Sequence, residues 1–284
     1  MAWSPASGRK EIEAELRRVG GQPDGEIALA ETALLLAALD RPRVPFDRYT
    51  HHLSLLARDA ADAGARAGAE GSLQARVDAL NAVIRERYGY AGDRRTYDDL
   101  QNANLMRVID RRKGLPVALG ILYIHAARSQ GWAIEGLSFP GHFLLRLERG
   151  GERAILDPFN DGVVRGAHDL REILRSVSGA EAELRPEHTA PVPNRDILLR
   201  LQNNIKLRLI QDGRPEDAMA TLESMLMLAP GRAALWREAG LLHARAGNLR
   251  AAVMTLEHVL ELADTQHDRH EAATLLQQIK GRLN

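Results

Sequence analysis

His142 and Asp157 are the two residues whose types and spacing best suit chemistry. An imidazole titrates nearer neutrality than any other side chain, and a carboxylate beside it fixes its tautomer and steadies its charged form. The two residues stand in Phe139-Pro140-Gly141-His142-Phe143 and Ile155-Leu156-Asp157-Pro158, on runs read as strands, with Arg149-Gly150-Gly151 as the turn between them. A two-residue turn at 149–150 or at 150–151 puts both side chains on one face of the hairpin, directly opposite or one diagonal apart. A slip of one residue would send them to opposite faces. Taken alone, the pair reads as a structural one that stabilises the hairpin. No thiol accompanies it, because the sequence has no cysteine. That excludes disulfides, thiolate metal sites and thiol redox chemistry for this chain.

Other candidates are weaker. His51 and His52 are adjacent on an expected helix, where neighbours point apart and do not share a metal. His125 falls inside an apolar helix and reads as a satisfied core histidine. His267 and His270, with Asp264 and Asp268 nearby, have the types to hold a metal but read as a solvated helix start. Arg107, Arg111, Arg112 and Lys113 read as a solvated face balanced by Asp98, Asp99 and Asp110 rather than as an anion site. No cofactor and no metal is expected.

The elements that must position the pair follow from periodicity. Residues 10–110 read as helices: Glu11–Val19, Ile27–Leu39, Phe46–Ala67, a helix after Gly71-Ser72, and a short one ending near Ile109. Tyr88–Asp93 reads as a loop. Pro116–Gln130 is apolar nearly all round, with proline in its first turn and Gly131 as its stop, so it is expected at the centre of the core. Strands are expected at Ala133–Phe139, His142–Glu148 and Arg153–Pro158, a short one at Val163–Arg165, and a helix at Asp169–Val177. Residues 184–196, rich in proline and polar groups, read as a linker.

Beyond the linker the chain repeats. Gly213-Arg214-Pro215-Glu216-Asp217-Ala218 and Gly247-Asn248-Leu249-Arg250-Ala251-Ala252 are 34 residues apart, and Leu222, Glu223 and Leu226 keep the same offset from Leu256, Glu257 and Leu260. A 34-residue helix–turn–helix period is the tetratricopeptide signature. It predicts helix pairs at 197–211 with 215–228 and 232–246 with 249–262, and a capping helix from Asp268 to Leu283.

With 284 residues, 45% apolar and 27% charged, the chain is long enough to bury a sizeable core. Lys+Arg and Asp+Glu both number 38, so no basic surplus argues for nucleic acid. No apolar run reaches the roughly 18 residues of a membrane span, and the start carries no signal-peptide pattern, so a cytoplasmic location is expected.

A histidine and then an aspartate on strands, after a central helix, resembles the transglutaminase-like branch of the papain-type fold. More closely, Asn104-Leu105, Arg111–Leu119, Phe139–Arg146 and Leu156–Phe159 resemble the SirB-type bacterial proteins. That resemblance implies an α+β protein in three parts. A helical N-terminal region (1–110) precedes a transglutaminase-like core with a small antiparallel sheet (111–183), and the linker 184–196 leads to tetratricopeptide-like repeats (197–284). It also implies a catalytic thiol at the start of the central helix, where the helix dipole favours thiolate. By that alignment the nucleophile position falls on Pro116, and no Ser, Thr or Cys occurs from Lys113 to Arg128. The expectation is a non-catalytic protein that binds a protein or peptide through its repeats, with His142 and Asp157 as a degenerate pair. The alternative is a cysteine-independent hydrolase or transferase that uses His142 as base and Asp157 as its orienter.

Overall fold

The structure is a computed structural model that describes residues 8–263 and 265–283. In chain order its elements begin with α1 (Arg9–Gly20), α2 (Leu29–Leu39), α3 (Asp47–Ala67), α4 (Leu73–Asn81), β1 (Ala91–Gly92), α5 (Leu105–Arg111), β2 (Lys113–Gly114) and α6 (Pro116–Arg128). They continue with β3 (Ala133–Leu137), β4 (Leu144–Arg149), β5 (Glu152–Asp157), β6 (Val163–Val164), α7 (Ala167–Ser178), β7 (Pro191–Val192) and α8 (Asn194–Gln211). The last four are α9 (Pro215–Leu228), α10 (Ala233–Arg245), α11 (Leu249–Leu262) and α12 (Gln266–Leu283). The described residues form two compact units. One holds the chain up to Ile12 together with Pro23–Leu201; the other holds Glu13–Gln22 together with the chain from Gln202 onward.

The first unit is built around α6. Eleven of its residues are buried, from Pro116 through Ala127, as its all-round apolar sequence requires. Helix α2 is buried on most sides for the same reason. Side-chain caps fix helix starts: Ser72 Oγ accepts from Ala75 N–H at 3.0 Å, and Asn104 Oδ1 from Arg107 N–H at 3.1 Å. Gly131, at φ 70°, stops the chain after α6.

The main sheet runs β6-β5-β4-β3-β7 and is antiparallel throughout. Arg149 pairs with Glu152, which leaves a two-residue turn at Gly150-Gly151. Both glycines have positive φ, 55° and 87°, as the favoured hairpin turns demand. Phe143 wedges between α6 and the sheet, in space that two glycines leave. A Cβ at Gly120 would lie 2.5 Å from its ring, and one at Gly136 would lie 2.7 Å from it.

Three sequence expectations change here. His142 lies two residues before β4 rather than on a strand. The loop at Tyr88–Asp93 contains β1, which pairs in parallel with β2 and so braces the chain just before α6. Residues 184–196 are more than a linker, because β7 within them pairs with Gly136 and Leu137 of β3 and extends the sheet. Two proline-flanked residues are too short a strand for periodicity to reveal.

The second unit is helical. Ala218 and Leu222 of α9 and Ala252 and Leu256 of α11, 34 positions apart in each case, all have zero exposure. Gly240 admits Leu256 closely, since a Cβ there would meet Leu256 Cγ at 2.7 Å. The matching position of the first repeat is Lys206, which is buried and reaches Glu238 at 2.5 Å. Helix α12 closes the unit, with Ala272, Leu276 and Ile279 in one cluster with Ala252, Leu256 and Val259. No helix among the described residues is long and apolar enough to cross a membrane.

Candidate functional site

The hairpin register brings His142 and Asp157 together. The β4–β5 ladder ends at Leu145 with Leu156, and its register carried one step further sets Leu144 across from Asp157 and His142 one diagonal away. His142 Nε2 lies 2.9 Å from Asp157 Oδ1, and Asp157 is fully buried while the His142 side chain keeps 15% of its exposure. The carboxylate only accepts, so Nε2 carries the proton. Nδ1 is left for anything else the ring meets.

Asp157 has more partners than His142. Arg165 donates from Nε at 3.1 Å and from Nη2 at 2.9 Å, Asn160 donates its side-chain amide at 2.8 Å, and the Asn160 backbone N–H donates at 3.2 Å. Burial alone would favour the neutral acid, but the hydrogen bonds from His142, Asn160 and Arg165 and the charge of His142 outweigh it and hold Asp157 at about 2. The sequence offered a signal for Asn160, because an aspartate that caps a turn accepts from the residue three further on. Arg165 was legible only as the end of an expected strand, not as a partner of Asp157.

Aromatic rings and cations enclose the pair. Phe159 meets the His142 ring edge-on at 6.4 Å, and Tyr97 meets Phe159 at 5.6 Å. Arg94 donates to Asn160 Oδ1 at 2.5 Å. Arg200 Nη2 donates to the carbonyls of His142, at 2.6 Å, and Phe139, at 3.3 Å, so it holds the backbone that carries the histidine. Phe159 also abuts Gly92, where a Cβ would lie 2.5 Å from its carbonyl oxygen. Gly92 pairs with Gly114, two residues before Pro116. Through Phe159 the pair is thus tied to the strand that leads into α6. The first residue of α6 is Pro116, buried and without any nucleophilic atom. The thiol that this kind of site uses is absent from the chain.

The remaining candidates sit elsewhere. His125 Nε2 is 3.0 Å from Leu53 O, a satisfied core histidine. His52 is buried, with Nε2 2.7 Å from the Tyr90 hydroxyl and 2.9 Å from Arg112 Nη1. An arginine only donates, so His52 Nε2 is the acceptor. His267 lies 3.4 Å from Glu271, and Thr265 caps α12, its Oγ1 accepting from Asp268 N–H at 3.0 Å and donating to Asp268 Oδ2 at 2.7 Å; Asp264 falls outside the described residues. The basic run is not a solvated face throughout, which corrects the sequence expectation. Arg111 turns inward to Asp93 at 2.9 Å and Asn102 at 2.9 Å. Arg112, at φ 59°, packs over the rings of Tyr88 and Tyr90. Asp110 instead takes Arg41 and Arg48. Aromatic and acidic partners arriving from distant sequence outbid water for these two arginines, which no local pattern shows.

The second unit has its own candidate. A cavity of about 610 Å³ opens among Met219, Leu226 and Met227 of α9, Trp236 and His243 of α10, and Arg17 of α1. Trp236 Nε1 donates to Pro230 O at 2.7 Å, which leaves its ring as apolar wall.

The profile of the transglutaminase-like superfamily matches residues 48–203, more than half of the chain, and that of the tetratricopeptide repeat matches residues 205–277. The chain belongs to the transglutaminase-like superfamily. Among particular proteins, it is 33% identical to a UPF0162 protein of Xylella fastidiosa, over 68% of this chain and 70% of the relative. It is 32% identical to a UPF0162 protein of Vibrio cholerae, over 66% of this chain and 70% of the relative. A shorter stretch, 31% of this chain and 14% of the relative, is 39% identical to F-box only protein 21 of Mus musculus.

Proposed function

We propose that this chain is a non-catalytic, SirB-type member of the superfamily that works in the cytoplasm by binding a protein or peptide through its repeats. The observation that carries the reading is Pro116 at the first turn of α6, where the superfamily's chemistry calls for a thiol. Acyl transfer through a thioester needs a thiol beside the base, and the chain has no cysteine. The retained pair fits a structural role. Asp157 is shared with Arg165, so its charge is already matched by a guanidinium and serves the imidazole less than an isolated carboxylate would. The apolar cavity of the repeat unit is where a partner side chain would seat, with Trp236 and the methionines as adaptable walls.

The alternative, a hydrolase or transferase that uses His142 as base, draws support from the partial exposure of the ring. Turnover assays on amide, ester and thioester substrates separate the two readings. The binding reading expects no turnover by the wild type beyond that of His142→Ala. A turnover that His142→Ala abolishes would overturn it.

A further inference from the structure

Away from the His142–Asp157 pair, the first unit holds a cavity of about 550 Å³. It lies at the N-terminal half of β3, which β7 does not reach, since β7 pairs only with Gly136 and Leu137. Its charged walls are Arg128, Arg146, Arg153, Glu135 and Glu148. Both glutamates pair with arginines, although Glu148 Oε1 and Arg146 Nε make no well-formed hydrogen bond. Glu135 takes Arg146 at 2.5 Å, and Glu148 takes Arg146 at 2.8 Å and Arg153 at 3.2 Å. Arg128 has only neutral acceptors, Asn194 Oδ1 at 2.8 Å and Ile134 O at 3.4 Å. Three guanidiniums and two carboxylates line the cavity, and Arg128, on which the charges of Glu135 and Asp24 also act, is the guanidinium whose hydrogen bonds go to neutral acceptors.

A second observation points the same way. Trp132 lines this cavity at 4% exposure, and its indole Nε1 is buried without an acceptor. The Arg76 guanidinium lies over its ring at 5.3 Å. A buried N–H with no acceptor is destabilising, so an oxygen brought to it is favoured. Ala133 and Ile134 add apolar wall beside the charged one.

We propose that this cavity binds a small organic carboxylate. The oxyanion would pair with Arg128, whose planar fork matches a carboxylate, and accept from Trp132 after a small shift of the indole. The short apolar tail would lie along Ala133.

The test uses the whole chain labelled with ¹⁵N, in which Trp132→Phe assigns the indole signal. Sodium hexanoate is titrated in, with hexylamine and inorganic phosphate as separate arms. The proposal expects the Trp132 indole signal to move saturably at millimolar hexanoate and to stay still with hexylamine. Arg128→Gln should weaken binding about tenfold. Ala133→Glu puts a tethered carboxylate at an exposed wall position and leaves every arginine in place; it should abolish the response. No shift with hexanoate, an unchanged response in both variants, or phosphate binding as tightly as hexanoate would each overturn the proposal.

Discussion

His142 Nε2 and Asp157 Oδ1 stand 2.9 Å apart, yet the carboxylate belongs at least as much to Arg165, which holds its other oxygen from two nitrogens. Asp157 is thus a hub of the hairpin end. Asp157→Ala would strand a guanidinium, an imidazole and an amide together, and breaking a buried pair in this way costs about 3–5 kcal/mol. His142→Ala leaves Arg165 and Asn160 in place and should cost about 1 kcal/mol. Urea denaturation of both variants checks the ranking. Equal losses would mean that the hub does not hold the hairpin.

Acid should act first on His52. Burial, then the charge of Arg112, pushes its imidazole down to about 4 from an ordinary 6.5, with Arg48, His51 and His125 adding to the effect. Between those values the unfolded chain binds the proton that the folded chain refuses. Stability is therefore full above pH 6.5 and is lost as pH falls toward 4, by on the order of 3 kcal/mol. His52→Gln keeps an acceptor for Arg112 without a titrating group. Its denaturation midpoint should fall less steeply than that of the wild type from pH 6.5 to 4. Parallel curves would remove His52 as the cause.

The repeats make a symmetric prediction. Ala218 and Ala252 are both fully buried at equivalent positions, so Ala218→Leu and Ala252→Leu should each overpack a helix contact by about 1–3 kcal/mol. Thermal melts of the two variants should drop together. A loss confined to one of them would show that the two alanines are not equivalent.

Placing a thiol where the superfamily expects one probes the degenerate site. Pro116→Cys puts sulfur at the first turn of α6, where the helix dipole lowers a thiol from about 8.5. Alkylation rates with iodoacetamide across pH should give an apparent pKa below 8, and a further His142→Ala should raise it. A profile like that of a free cysteine, unchanged by the second substitution, would show that the imidazole does not face α6.

Much of this was legible in the sequence because it rests on period and turn chemistry. Pro116 and Gly131 bracketed α6, the 34-residue offset located α9 and α11, and Gly150-Gly151 fixed the parity that unites His142 with Asp157. What escaped depends on partners distant in sequence. Arg111 and Arg112 look solvated until Asp93, Asn102, Tyr88 and Tyr90 are folded against them. Strand β7 is too short to alternate, and the hold of Arg200 on the His142 carbonyl spans 58 positions.

In the proposed function the repeats, not the His142 pair, meet the partner. Quantitative pull-down from a bacterial extract tests it most directly, with the wild type, His142→Ala and the double variant Glu223→Lys/Met219→Glu in the cavity wall of the second unit. Proteins captured by the wild type should be captured equally by His142→Ala and at least tenfold less by the cavity variant. Capture that survives the cavity substitutions but disappears with His142→Ala would contradict the account.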